Sequence, residues 1–100
     1  MKKKFKNLND VRKSIDKVDN QLVKLIGERE FYAKEALKFK TDRSEIKDNK
    51  RINAVLKRIK SLKKKYKVRS LSDYTIQQIW ILMIKNFIIL ENKLFKKPKK

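Results

Sequence analysis

Along the first third of the chain, apolar residues recur at alternating steps of four and three. Val11, Ile15, Val18, Leu22, Leu25, Tyr32, Ala36 and Phe39 follow this rule, and Arg29 occupies the one place where a further apolar residue is due. Such a heptad seam predicts a long helix over about 8–40, with Asn7 or Asn9 as its cap. A second apolar stripe, Ile52, Val55, Leu56, Ile59 and Leu62, predicts a helix over about 48–66 that ends in the basic run KKKYK. Basic residues there suit the negative end of the helix dipole. The third stripe is Ile76, Trp80, Met83, Phe87 and Leu90. It predicts a helix to about residue 94, opened by a capping box at Ser70 and Asp73. This helix is apolar nearly all round between 79 and 90, which predicts central burial. TDRSEIK (41–47) reads as a polar connector and 68–71 as a short link. Residues 1–7 form a basic N-terminal segment, 8–94 one helical domain, and 95–100 a basic tail expected to be disordered.

With 1 Gly and 1 Pro, the chain has almost no turn chemistry for hairpins. The expected fold is therefore all-α, three helices with one very long. A helix of some 33 residues runs about 50 Å, whereas a compact 100-residue globule has a radius of gyration near 13 Å. Helix one should protrude, and two shorter helices cannot cover its seam. An intertwined two-fold homodimer, helix one against its mate, solves the problem. A plain helical hairpin or a long coiled coil is the alternative.

No Cys and no His occur. Thiolate chemistry and the usual zinc and general-base residues are therefore excluded, and no metal or cofactor is expected. The absence of Cys suits a reducing cytoplasm. The start, MKKKFKNLND, lacks an apolar core of the signal-peptide kind. The longest apolar run, 79–90, is too short to span a bilayer and contains Lys85 and Asn86. A soluble cytoplasmic protein with no membrane partner is expected.

The formal net charge is +19. It suits a polyanion such as nucleic acid, or steering of an anionic small molecule. A Lys-rich compositional bias gives the same number. Lysines spread through every segment favour the bias, and aromatics set in apolar seams leave no stacking platform for bases.

Arg29 is the sharper signal, because a guanidinium in an apolar seam calls for an anion. Lys40 follows eleven residues later, about three helical turns on and near the same face. Arg12 lies some 25 Å away along the same helix. One ligand cannot touch all three on one helix, but two antiparallel copies bring Arg12 of one beside Arg29 and Lys40 of the other. With Arg51 this set suits a small dicarboxylate. Asp48 is most simply the cap of helix two. Glu91 lies beside the seam of helix three. If it faces a dry pocket, the neutral acid is favoured and can donate a hydrogen bond; otherwise it reaches water at the helix edge. Gly27, mid-helix, either leaves room for a ligand or a close backbone or is a tolerated surface glycine. No phosphate loop or nucleophile–base pair is present, so catalysis would rest on binding, orientation and electrostatics.

The stretch LNDVRKSIDKVDNQLVKLIGEREFYAKEALKFK resembles the first helix of the all-helical (AroQ-type) chorismate mutase family, and IKDNKRINAVLKRI and IWILMIKNFIILE continue the likeness. The resemblance implies an intertwined all-α dimer with shared sites. It implies that Arg12 reaches into the partner's site and that Arg29 binds a substrate carboxylate in its own. Lys40 then meets the ether oxygen of the breaking bond, with Glu91 opposite it. Asp48 and Arg51 serve the ring hydroxyl and the shape of the site. Many mutases carry Glu where this chain has Ile52, and some a small polar residue where it has Phe87. Both departures, and the short connector after Lys40, lean toward a sister group, the isochorismate pyruvate lyases and the mutases closest to them. The resemblance thus implies conversion of chorismate to prephenate, with isochorismate cleavage to salicylate and pyruvate as the alternative. A non-enzymatic basic helical dimer that binds nucleic acid is the third reading.

Overall fold

The computed structural model describes residues 4–96. Its helices are α1 (Leu8–Leu37), α2 (Asn49–Lys65) and α3 (Asp73–Leu94), with a short 3-10 turn at Arg43–Glu45 between α1 and α2. No strand occurs among the described residues, so the fold is all-α with one long helix. The expected disorder of the tail concerns, at 97–100, residues outside those described. The chain divides into two compact units, Met1–Tyr32 and Ala33–Lys100.

The first unit is the body of α1. Of the two candidate caps, Asn7 is the one used: its Oδ1 accepts from the Asp10 N–H at 2.9 Å. Asp10 in the first turn complements the helix dipole. The seam is present but uncovered. Ile15, Val18, Leu22, Leu25 and Tyr32 are all at least half exposed, and no residue of α1 is buried. A Cβ added at Gly27 would meet open space.

In the second unit α1 stops at Leu37, three residues short of the expected end. The N–H groups of Lys38, Phe39 and Lys40 turn to carbonyls three residues back, Glu35, Ala36 and Leu37. This tighter winding rotates side chains off the α-helical stripe. Phe39 therefore leaves the seam and is 86% exposed, and Lys40 comes after the helix rather than riding its face.

The connector is more structured than a polar link. Asp42 accepts from the Ser44 N–H at 2.8 Å, while the Glu45 carboxylate accepts from the N–H groups of Thr41 and Asp42 at 2.6 and 2.9 Å. This closes a capping box. Ile46, just beyond it, is 5% exposed and belongs to the core.

Asp48 caps α2 as expected, accepting from the Arg51 N–H at 3.1 Å. At the other end, Val68 N–H bonds Lys63 O and Lys67 N–H bonds Lys64 O, the two bonds of a Schellman motif. Its left-handed position is Lys67 (φ 58), where glycine is ordinarily preferred. The capping box expected at Ser70 and Asp73 is not the one used. Ser72 caps α3, accepting from the Thr75 N–H at 3.0 Å. A Ser side chain must lie directly before the first helical residue to reach that donor.

The α2 stripe packs on α3. Ile59 is buried and Gln77 donates to the Leu56 carbonyl at 3.1 Å. Lys63 meets Asp73 at 3.2 Å across the α2–α3 corner. Central burial of α3 is not seen in the single chain: Ile79, Leu82 and Ile89 are at least half exposed. One helix can cover only one side of an all-round apolar neighbour. Among the described residues the buried apolar side chains are Ile46 and Ile59, a small core for a chain that is 40% hydrophobic.

Candidate active site

The third buried residue is a carboxylate. Glu91, near the end of α3, is 8% exposed. The stripe that ends in Leu90 carries it inward, and Phe87, one turn earlier, is half-buried beside it in register. Lys40, held at the end of the tight turn that closes α1, donates from Nζ to Glu91 Oε1 at 2.8 Å. Both side chains are largely shielded, at 23% and 11% exposure. Fifty-one residues of chain separate the two, so the meeting is tertiary. No buried side-chain nitrogen or oxygen lacks a partner among the described residues.

A second pair stands at the start of α2, where the Asp48 carboxylate holds the Arg51 N–H. The capped turn leaves the Arg51 side chain exposed. Ile52 beside it is half-buried as part of the α2 stripe. Arg12 and Arg29 both lie on α1 in the first unit, Arg12 exposed and Arg29 half-buried. Within the second unit, then, the chain brings Lys40 to Glu91 and Asp48 to Arg51.

Sequence reasoning passed over one more set. Arg43, in the connector, donates from Nη1 to the backbone carbonyl of Asn92 at 2.7 Å and to its Oδ1 at 3.1 Å. Its guanidinium lies 5.2 Å from the centre of the Phe95 ring. The available signal was the Asp42-x-x-Glu45 spacing, a capping-box pattern that marks a turn able to project Arg43. Among the described residues no group of three acidic residues converges to hold a metal. Among the described residues no helix is long and apolar enough to cross a membrane.

Within an all-α chain, a connector lysine thus faces a buried carboxylate near the end of the last helix. Residues 11–92 match the family described as Chorismate mutase type II. The match spans most of the chain, which belongs to that family. No curated protein and no solved structure matches it at a significant level.

Proposed function

We propose that this protein is a chorismate mutase, converting chorismate to prephenate by a pericyclic rearrangement. The observation that carries the reading is the Lys40–Glu91 pair. A largely desolvated ion pair gains little net stability, because desolvation offsets the Coulomb attraction. Its presence in so small a core calls for another reason. In the rearrangement the carbon–oxygen bond of the enolpyruvyl ether breaks as a carbon–carbon bond forms, and negative charge grows on the ether oxygen. An ammonium aimed at that oxygen stabilises the transition state more than the ground state. With substrate bound, Lys40 turns from Glu91 to the ether oxygen. Glu91 flanks that oxygen from the other side. Arg29 of the same chain and Arg12 of the partner clamp the two carboxylates and hold the enolpyruvyl arm over the ring. Asp48 and Arg51 bound the ring side, and Phe87 supplies an apolar wall.

This reading requires a homodimer with two shared sites. The uncovered seam of α1 supports it, since contiguous apolar surface of this kind marks an interface. The mate's seam is self-complementary under two-fold symmetry.

Cleavage of isochorismate to salicylate and pyruvate is the second reading. Ile52 and Phe87 favour it, because apolar groups there remove polar contacts to the substrate hydroxyl. Parallel assays decide between the two. Loss of chorismate absorbance with prephenate as product is expected; salicylate fluorescence from isochorismate at the higher kcat/KM would reverse the assignment. No turnover of either, with a steep salt-dependent shift of DNA, would favour a nucleic-acid binder. The role of Glu91 has its own check: Glu91→Gln, which keeps a hydrogen-bond donor at that place, should retain turnover, and loss of turnover in the variant rules the role out.

A further inference from the structure

Lys40 lies outside α1, and its own backbone N–H is held by one 3-10 bond to Leu37 at 3.1 Å. Its place must therefore be set by the connector residues on its C-terminal side. There the Asp42–Glu45 capping box knots the connector onto itself. Arg43 ties that knot to α3. We infer that Arg43 is a positioning residue for the Lys40–Glu91 pair, clasping the connector to the last turn of the helix that carries Glu91. Lys40 precedes Arg43 by three residues and Glu91 precedes Asn92 by one, so the clasp closes over both ends of the pair.

Its chemistry is that of a helix C-terminus. The last turn of α3 leaves carbonyls without helical donors. Phe95 N–H takes that of Glu91 at 2.9 Å, and the Arg43 guanidinium takes that of Asn92. A cation suits this end of the helix dipole. The Asn92 side chain is oriented for its part: Nδ2 donates to the Ile88 carbonyl at 3.1 Å, which presents Oδ1 to Arg43. Phe95 floors the guanidinium. Lysine cannot reproduce this, since one ammonium lacks the flat fork that bonds and stacks together. Arg43 is exposed, and exposed charged contacts contribute little to stability. Its loss should therefore move Lys40 rather than unfold the chain.

The inference rests on Lys40 and Glu91 acting at the reacting centre, so the test carries a readout that needs no turnover. Arg43→Ala and Arg43→Lys are made in the full chain. Acylation of Lys40 by acetic anhydride is followed by mass spectrometry, with exposed Lys85 as internal standard. In Arg43→Ala, Lys40 should react several-fold faster relative to Lys85, with Arg43→Lys in between. With chorismate, kcat should drop about tenfold, within the penalty attached to small misplacements of a catalytic group. KM should change little, and Arg43→Lys should recover part of kcat. Unchanged Lys40 acylation overturns the clasp. Lowered thermal stability with unchanged kcat per folded site also overturns it, by making Arg43 merely structural. If the parent turns over neither substrate while Arg43→Ala still exposes Lys40, the clasp stands and the proposed reaction fails.

Discussion

The seam of α1 and the connector behind it are opposites. The seam is regular and, Arg29 apart, apolar over about seven turns, yet α1 buries no residue. The connector is short, polar and irregular, yet it closes a capping box, buries Ile46 and is bonded to α3. A heptad repeat states which face needs a partner without supplying one. A capping box supplies its own partners, because donor and acceptor lie within a few residues. In this protein the strongest pattern marks the face that the single chain leaves uncovered, and the weakest marks where it is held.

The largest expected effect tests the connector. Lys40→Ala should lower kcat by about 10²–10³, the range for removing one donor to a developing oxyanion, with the helical circular dichroism retained. A rate within a factor of a few of the parent would detach the connector from the chemistry. The seam is tested next, by mixing. Arg12→Ala and Arg29→Ala chains should each be inactive alone, and in a heterodimer one site regains both arginines. Random exchange should restore roughly a quarter of parental activity under two-fold sharing. No recovery, or a monomer by sedimentation equilibrium, would leave the seam without its mate.

Two glycine exchanges sharpen the contrast further. The chain's single glycine sits mid-helix at Gly27, while the left-handed position after α2 is filled by Lys67. Lys67→Gly should stabilise the protein by about 1 kcal/mol in urea unfolding. Gly27→Ala should add a similar ~1 kcal/mol from helix propensity alone. Loss of the dimer in Gly27→Ala would instead mark a close backbone approach by the mate.

The smallest effect concerns acid. The backbone N–H groups of Asp42 and then Thr41 hold the Glu45 carboxyl below its ordinary value. A depressed folded-state value stabilises the connector above the unfolded value, and that contribution is lost as pH falls through the folded one. Protection of the Thr41 and Asp42 amides, read as exchange relative to the unstructured-peptide rate at each pH, should fall on acidification from the ordinary carboxylate range downward. Glu45→Ala should show little protection at any pH.

Much of the fold was legible because helix signals are local. The stripes of α2 and α3, the Asp48 cap and the polar connector are set by spacing over a few residues. The misreadings were local too. The end of α1 looked like three more seam residues, but i−3 bonding replaced i−4 bonding at Lys38. Ser70 with Asp73 fitted the capping box as well as Ser72 does the cap, and only backbone geometry chooses between them.

By itself the sequence determined the all-α class, the order and faces of the helices, and the residue types able to meet an anion. Periodicity and capping are written in neighbouring residues. Tertiary structure decided that Lys40 meets Glu91, the residue the family resemblance set opposite it, across fifty-one residues at 2.8 Å, and tertiary structure alone that Arg43 closes on Asn92. Those contacts depend on where α2 and its turns carry the chain between them, and no short-range pattern encodes a distance of that kind.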